Sequence, residues 1–211
     1  DVSSRYTRRN RAEYRKIAGY IARCVWQRQG NYMVFFPSYR LMEDVLQVYE
    51  EEFSVDWVRC VCQTPDMTEQ EREGFLEEFQ EREGTLVGFC VLGGIFSEGV
   101  DLTGESLIGA VIVGTGLPQI GSQREILKEY YDKKNHCGFD YAYRYPGMNK
   151  VLQAAGRVIR TKEDKGVILL LDDRFWDRDY QEIFPREWQD RTGCRLDTVE
   201  GAVETFWKRF T

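Results

Sequence analysis

Residues 31–46 read Asn-Tyr-Met-Val-Phe-Phe-Pro-Ser-Tyr-Arg-Leu-Met-Glu-Asp-Val-Leu, and this stretch decides the class of fold. Its first part contains an apolar run, 33–36, without the alternation of a strand that has one wet face. A proline then ends the strand, and Ser38 can cap a helix that carries Leu41 and Val45 at helical spacing. The stretch therefore predicts a strand buried on both faces, followed directly by an amphipathic helix.

The same alternation of apolar runs and helical periodicity continues along the chain. The predicted strands cover 31–36, 55–62, 85–92, 107–113 and 166–171. The predicted helices cover 9–28, 68–79 and 150–160, together with helices that start near 38, 122 and 197. Three of the starts carry capping signals: Thr68 with Glu71, Ser122 with Glu125, and Asp197 with Glu200. This order indicates an α/β fold with a doubly wound, mainly parallel sheet and helices on both faces.

Length and composition favour a single domain over residues 1–211. The chain has 211 residues, 42% of them apolar and 30% charged, which excludes disorder as the main state. No apolar run approaches the roughly 20 residues that cross a bilayer, and the N-terminus has no apolar signal segment. We therefore expect a cytoplasmic protein without a membrane partner. Because Asp1 stands where a start methionine would, we also expect a fragment of a larger protein.

The cysteine and histidine content argues against a metal centre in this chain. Six cysteines are present, none in a C-x-x-C pair, and His136 is the only histidine. Such cysteines are typical of small buried thiols in a reducing compartment. We expect no metal site, and with a single histidine we expect no histidine-based catalytic triad.

The net charge of −6 is unevenly distributed. Residues 1–30 carry eight basic and two acidic side chains, and residues 122–174 carry eleven basic and eight acidic ones. Residues 43–83 carry three basic and fourteen acidic side chains. An anionic partner is therefore confined to one face. We expect the two basic stretches to line its path and the acidic stretch to face away from it.

Two predicted strand ends carry unusual chemistry, and ligands of parallel α/β sheets bind at the carboxyl ends of the strands. At 36–39, a helix N-terminus and the Ser38 hydroxyl offer hydrogen bonds to a phosphate, although a simple capped turn explains the same residues. The stretch 93–102 starts with three glycines in seven residues and also holds Glu98 and Asp101. Its carboxylates suit a ribose hydroxyl or a water near a metal, whereas a plain tight loop explains only the glycines.

A third stretch, 153–160, is the most specific of all. It reads Gln-Ala-Ala-Gly-Arg-Val-Ile-Arg, and on a helix Gln153, Arg157 and Arg160 share one face within about 60° of arc. Arg157 has no carboxylate four residues away, and guanidinium groups suit phosphate oxygens. A solvated helix face is the alternative interpretation.

The sequence lacks the parts that bind a nucleotide on their own. It has no G-x-x-x-x-G-K-[ST] phosphate loop and no Asp-Glu dipeptide for a magnesium site. Residues 114–119 fail the G-x-G-x-x-G pattern because Gln119 holds the third glycine position. The arginines can stabilise a transferring phosphoryl group, but nothing here cradles the nucleotide or holds its magnesium.

Taken in order, these motifs resemble the second motor domain of the DinG/XPD-like superfamily 2 DNA helicases. The stretch 36–39 looks like motif IV, 93–101 like motif V, and 153–160 with the following strand 164–174 like motif VI. The resemblance implies a RecA-like fold without its own phosphate loop. It also implies ATP-driven movement on single-stranded DNA, usually 5′→3′, with unwinding of duplexes.

The resemblance further implies three groups of site residues. In the catalytic group, Arg157 and Arg160 are arginine fingers that reach the γ-phosphate across a cleft, and Gln153 contacts the same nucleotide or holds the fingers in place. The nucleotide-binding group lies at the same cleft and comprises Glu98, Gly99 and Asp101. The DNA-binding group contacts the strand backbone and comprises Ser38, Tyr39, Gly93 and Gly94.

Cofactors and partners follow from the same resemblance. ATP with Mg²⁺ is expected mainly on the first RecA-like domain of the same polypeptide, which lies outside this chain, as does any iron–sulfur cluster. Single-stranded DNA is the expected partner, DNA repair the expected setting, and this chain alone is expected to be inactive. The alternative is a non-catalytic nucleic-acid or protein-binding module that kept the fold. A nuclease would need clustered carboxylates, and Asp172 with Asp173 is better interpreted as a strand-end pair.

Overall fold

The computed structural model describes residues 1–80, 84–96, 107–159 and 161–210. Their strands form a five-stranded sheet with the order β2-β3-β1-β4-β5, in which all neighbours are parallel. In chain order the strands are β1 Asn31–Phe36, β2 Val58–Cys62, β3 Thr85–Val91, β4 Gly109–Val113 and β5 Val167–Leu171. The predicted α/β class with a parallel sheet is confirmed.

Helices connect the strands and cover both faces of the sheet. They are α1 Arg11–Val25, α2 Tyr39–Glu52, α3 Glu69–Glu78, α4 Ser122–Asn135, α5 Tyr145–Ala155, α6 Arg178–Gln181 and α7 Val199–Trp207. A π-helical turn, Asp140–Arg144, leads directly into α5. In the described part of the chain, no helix combines the length and the apolar character needed to cross a bilayer.

The central strand β1 shows why the sheet has two cores. All six of its residues are buried. Val34 and Phe36 belong to one apolar cluster, which also contains residues of α1, α2 and α7. Met33 and Phe35 belong to the other, which contains residues of α3 and α5. Alternate side chains of one strand therefore enter opposite layers, as in a doubly wound sheet.

Two of the predicted helix starts are confirmed by their hydrogen bonds. The Leu41 N–H donates to the Ser38 hydroxyl oxygen over 3.4 Å, so Ser38 caps α2. Thr68 and Glu71 form a complete capping box on α3: the Thr68 N–H donates to the Glu71 carboxylate over 2.7 Å, and the Glu71 N–H donates to the Thr68 hydroxyl over 3.3 Å.

The other two predicted caps are wrong. The residue before α4 is Gly121, and the Glu125 carboxylate accepts the hydroxyl proton of Tyr143 instead of closing a capping box. The residue before α7 is Thr198, whose hydroxyl bonds the backbone of Arg195 and leaves the helix start without a side-chain cap. At α4 a tertiary contact takes the carboxylate that the local pattern assigned to the helix, whereas α7 begins one residue later than its pattern predicts.

Two predicted boundaries are too wide, also for local reasons. The Asn10 side chain accepts the Glu13 N–H over 3.0 Å, which makes Asn10 the cap of α1 and places the start at Arg11 rather than residue 9. The Val58 N–H donates to the Val55 carbonyl over 3.0 Å. This turn delays β2 until Val58, although the apolar run begins at Val55.

Candidate functional site

The carboxyl ends of β1, β2 and β3 bring together four of the predicted site residues and two that were not predicted. These residues form what we call the strand-end cluster: Ser38, Tyr39, Gln63, Gly93, Gly94 and Lys150. Ser38 and Tyr39 follow β1 and begin α2, whose first turn carries no acidic residue. The positive end of this helix is therefore not neutralised within its own first turn.

Gln63, directly after β2, organises one side of the cluster. Its side chain is almost completely buried, at 2% exposure. The Val91 N–H donates to the Gln63 Oε1 over 3.0 Å, and the Gln63 Nε2 donates to the Tyr39 hydroxyl oxygen over 2.8 Å. Burial raises the pKa of the Tyr39 hydroxyl, although the bond from Gln63 acts in the opposite direction. Tyr39 is therefore a neutral, fixed phenol at neutral pH.

Gly93 and Gly94 form a tight turn immediately after β3. The Gly94 N–H donates to the Val91 carbonyl over 3.0 Å, and Gly93 has a φ of 72°, in the left-handed region that favours glycine. A Cβ on Gly93 would lie 2.8 Å from Cε and 2.9 Å from Nζ of Lys150. A Cβ on Gly94 would lie 3.0 Å from Nε2 of Gln63. Lys150 and Gln63 thus approach this turn so closely that a side chain at Gly93 or Gly94 would collide with them.

The predicted helix over 150–160 is corrected by the structure. Helix α5 ends at Ala155, and the Arg157 and Val158 N–H groups donate to the carbonyls of Ala154 and Ala155, three residues back. Gly156 favours this ending because it has a low helix propensity. Val158, at 3% exposure, also turns into the core against Gly166.

The single helix face that was predicted to carry two arginines and a glutamine is therefore wrong. Gln153 is exposed near the end of α5, whereas Arg157 is half-buried in the turn beyond it. Arg160 lies outside the described residues, as do Glu98, Gly99 and Asp101. We call residues 156–158 the exit turn of α5.

Helix α5 separates the predicted residues into two regions. Its first turn lies at the carboxyl end of β4, because a Cβ on Gly147 would come within 2.6 Å of the Thr115 carbonyl oxygen. Its exit turn lies at the opposite end of the sheet, because Val158 packs on Gly166, which precedes β5. The predicted DNA-binding residues thus lie at one edge, and the turn with Arg157 lies at the other.

Two arginines of the basic N-terminal stretch are paired with glutamates of the acidic stretch. In α1, Arg11 pairs with Glu51 over 2.7 Å and with Glu52 over 3.1 Å, and Arg15 also pairs with Glu52. These glutamates belong to the acidic stretch 43–83, which was expected to face away from DNA. Since α1 packs beside α2, part of each charged stretch neutralises the other.

The pair Asp172 and Asp173, just after β5, has a structural role. The Asp172 carboxylate accepts hydrogen bonds from the backbone and hydroxyl of Ser4, over 2.9 and 2.6 Å. It also accepts them from the backbone N–H, Nε and Nη2 of Arg174. Burial of this carboxylate raises its pKa, but Arg174 and Ser4 together outweigh burial and hold the pKa below its ordinary value. The N-terminal segment is thereby fixed to the sheet.

Three of the cysteines have the chemistry of structural thiols. All six are free. Burial raises the pKa of Cys24 to about 12 and is the largest cause that raises the pKa of Cys60 and Cys62 to about 11. These three thiols are therefore protonated and weakly nucleophilic at neutral pH. Within the described ranges, no three histidine, cysteine or acidic residues are grouped to hold a metal ion.

Gln63 and Lys150 were missed because neither belongs to a recognisable motif. Gln63 is the first polar residue after the apolar residues of β2, a weak signal that could have been used. Lys150 lies on a predicted helix, but nothing in its spacing connects it with Gly93. A cavity of about 490 Å³ runs along the outer side of β5 and is lined by none of the predicted site residues.

Comparisons with known proteins add an independent line of information. A family model described as the helicase C-terminal domain matches residues 21–191. The chain is 29% identical over 186 residues to the ATP-dependent DNA helicase XPD of Sulfolobus acidocaldarius, an alignment that covers 83% of this chain and 30% of that protein. It is 28% identical over 178 residues to a regulator of telomere elongation helicase 1 homolog of Drosophila persimilis, covering 77% of this chain and 17% of that protein.

Solved structures show the same architecture. An XPD helicase structure superposes with a TM-score of 0.69 at 26% identity, covering 86% of this chain and 32% of the other. The C-terminal domain of the DEAD-box protein Dbp5 superposes with a TM-score of 0.52 at 14% identity and shares the fold. The RecA-like arrangement is thereby confirmed. The chain spans less than a third of the length of the two curated relatives described above.

Proposed function

Because the chain belongs to the helicase C-terminal domain family, we propose that it is the second motor domain of an ATP-dependent DNA helicase of the DinG/XPD type. In this role it contributes DNA backbone contacts and arginine fingers to a motor that moves on single-stranded DNA and unwinds duplexes. The first RecA-like domain of the same polypeptide completes the motor.

The observation that carries this proposal is the extent of the family match. It runs from within α1 to the segment before α7, and so includes the strand-end cluster, α5 and its exit turn in one register. The relative from Sulfolobus acidocaldarius is named an ATP-dependent DNA helicase. The sequence has no phosphate-loop motif, which supports a site that is shared with a first motor domain.

At the strand-end cluster, the proposed ligand is the backbone of single-stranded DNA. Ser38, Tyr39, Gly93 and Gly94 present a helix N-terminus, a phenol and a turn without side chains to the phosphates. None of these groups reads a base edge, so binding is largely independent of sequence and falls as salt rises.

At the exit turn, the proposed ligand is the triphosphate held by the first motor domain. The amide of Gln153 and the guanidinium of Arg157 are suited to phosphate oxygens, and Arg160, Glu98, Gly99 and Asp101 complete this side of the cleft in our proposal. ATP with Mg²⁺ supplies the phosphoryl transfer that drives the motor. Arg157 and Arg160 stabilise the charge that develops on the transferring group when the two domains close.

The test is ATP hydrolysis by this chain joined to its first motor domain. We expect Arg157→Ala to lower the turnover number on the order of 10³-fold, since arginine fingers contribute about 10³–10⁵ elsewhere. Binding of single-stranded DNA should be largely retained, because the exit turn is remote from the strand-end cluster. Steady-state ATPase assays and fluorescence anisotropy with a labelled oligonucleotide measure the two effects.

A matched control is Arg178→Ala, which removes an arginine of α6 whose side chain is 89% exposed and is paired with Glu182. This variant should hydrolyse ATP at the normal rate. Near-normal turnover by Arg157→Ala would refute the finger assignment. Robust hydrolysis by the 211-residue chain alone would refute the shared site itself.

A further inference from the structure

We propose that the Tyr39 hydroxyl and the Lys150 ammonium are a phosphate-binding pair on either side of the Gly93–Gly94 turn, and that the buried Gln63 is the residue that positions Tyr39. This inference rests on the proposed function and deepens it, because neither Gln63 nor Lys150 belongs to the motifs that carry the resemblance. The recognised chemistry is a phosphate oxygen, supplied by a DNA phosphodiester or by a nucleotide.

The orientation of the Gln63 amide is fixed by its surroundings. The Val91 N–H can only donate a hydrogen bond, so the atom that faces it must be the Gln63 carbonyl oxygen. The amide nitrogen then faces Tyr39, at 2.8 Å from the phenol oxygen. At 2% exposure, Gln63 has no room to exchange these partners for water.

This orientation determines what Tyr39 can do. Because its oxygen accepts the bond from Gln63, its own proton is left to donate elsewhere. No residue in the described part of the chain accepts that proton, and Tyr39 is half-buried rather than enclosed. The Tyr39 hydroxyl is therefore positioned by Gln63, and its proton remains available to a ligand on the partly exposed side of the ring.

Lys150 supplies the charge on the other side of the turn. Its Nζ lies against Gly93, where a Cβ would be only 2.9 Å away, and the residue is half-buried. Among the described residues, none forms an ion pair or hydrogen bond with this ammonium. A half-buried ammonium without a protein acceptor interacts more strongly with an anion than a fully solvated one.

The two donors share one backbone element. Gly94 contacts Gln63, and Gly93 contacts Lys150, so the turn is enclosed by an amide on one side and an ammonium on the other. Glycine at both positions is what permits these close approaches. The strand-end cluster therefore presents hydrogen-bond donors at the carboxyl end of the sheet, and none of its six residues is acidic.

The experiment measures binding of a labelled oligothymidylate of about 12 nucleotides to the 211-residue chain at several salt concentrations. Lys150→Ala should weaken binding about tenfold and lower the slope of log affinity against log salt by about one phosphate contact. Tyr39→Phe should also weaken binding about tenfold, with an unchanged slope. Lys208→Ala is the matched control, since it removes a lysine that is paired with Glu204 at the end of α7, and it should bind normally.

Gln63→Glu tests the positioning role. A carboxylate in this place accepts from both Val91 and Tyr39, which turns the tyrosine proton inward. We expect weaker binding, with a loss in the Gln63→Glu, Tyr39→Phe double variant smaller than the product of the two single losses. Circular dichroism on each variant checks that the fold is retained. Losses that multiply fully would overturn the role of Gln63.

The remaining outcomes separate this inference from the proposed function. Normal affinity and slope in both Lys150→Ala and Tyr39→Phe would overturn the phosphate-binding pair and leave the helicase assignment intact. Binding of a fluorescent ATP derivative, but not of the oligonucleotide, with loss in the same two variants would support the pair and identify the nucleotide as its phosphate source. If the unaltered chain bound neither probe, the phosphate-binding pair would be overturned, whereas the helicase assignment is tested separately by the ATPase assay on the joined domains.

Discussion

At the scale of single residues, Asp172 has the most demanding environment. Its side chain is fully buried and faces Arg174, whose side chain is 16% exposed, with Ser4 completing the hydrogen bonds. Removing one partner of a buried ion pair leaves the other charge uncompensated, which costs more than the pair contributes. The carboxylate therefore holds the first residues of the chain and the end of β5 together.

We expect Asp172→Asn to lower the free energy of unfolding by about 3 kcal/mol at neutral pH. The exposed pair of Arg178 with Glu182 provides the control, and Glu182→Gln should cost no more than about 0.5 kcal/mol. Urea unfolding followed by tryptophan fluorescence measures both. Equal losses in the two variants would contradict the role given to Asp172.

The stability of the unaltered chain and that of Asp172→Asn should respond differently to acid. Because the folded-state pKa of Asp172 is lowered, its stabilising contribution is complete well above the ordinary aspartate value of about 4 and is lost as the pH falls below it. The difference in stability between the unaltered chain and Asp172→Asn should therefore shrink between pH 7 and pH 3. A constant difference would mean that the carboxylate is not ionised at neutral pH.

The sequence could predict that Asp172 ends a strand, but not what it binds. Its partner Ser4 is 168 positions away, and no periodicity connects the two. Gln63 and Lys150 were missed for the same reason, because their importance depends on which strand ends become neighbours. By contrast, Ser38 was predicted correctly as a cap because capping is decided within four residues.

At the scale of elements, the close contact of α5 with the end of β4 limits which residues can stand there. A Cβ on Gly147 would lie 2.6 Å from the Thr115 carbonyl and 3.1 Å from the Gly116 carbonyl carbon, both backbone atoms that cannot rotate away. Gly74, in the middle of α3, is the opposite case, because a Cβ there would meet nothing within 4 Å. The two glycines occupy helices for different reasons.

We expect Gly147→Ala to destabilise the fold by about 2 kcal/mol, since the helix must move away from the strand end. Gly74→Ala should stabilise it by about 0.5–1 kcal/mol through helix propensity alone. Thermal unfolding by circular dichroism distinguishes them. If both changes acted in the same direction, the contact of α5 with the strand end would not be as tight as described.

Element boundaries show where local patterns stop being sufficient. The apolar periodicity identified α5 correctly but extended it through residue 160, because Ile159 and Arg160 continue the pattern. The helix ends at Ala155 since Val158 packs under Gly166, a tertiary contact. The capping box of α4 was also lost to a tertiary contact, the bond between Glu125 and Tyr143.

At the scale of the whole molecule, the class of fold was predictable, whereas the distribution of charge was not. Continuous apolar runs between helices are sufficient to indicate a parallel sheet covered on both faces. Counts of charge along the chain, however, do not show which helices pack together. The helices α1 and α2 lie side by side, so that Arg11 and Arg15 face Glu51 and Glu52.

We therefore expect the double variant Arg11→Ala, Arg15→Ala to bind single-stranded DNA within about twofold of the unaltered chain, since exposed ion pairs contribute little and these arginines are already paired. The anisotropy titration at several salt concentrations measures this, with Lys150→Ala as the sensitive comparison. A lower salt slope in the double variant would show that α1 contacts the DNA after all.

Helix α5 runs from the carboxyl end of the sheet to the opposite end, where its exit turn lies. Its 11 residues extend over about 16 Å. The first turn is wedged against the end of β4, Lys150 lies at mid-length, and Arg157 follows immediately beyond the far end. If the proposed roles of Lys150 and Arg157 hold, a displacement of α5 at Lys150 would also move the turn that carries Arg157. Tension on a bound DNA strand and the position of Arg157 during phosphoryl transfer would then both depend on the position of α5.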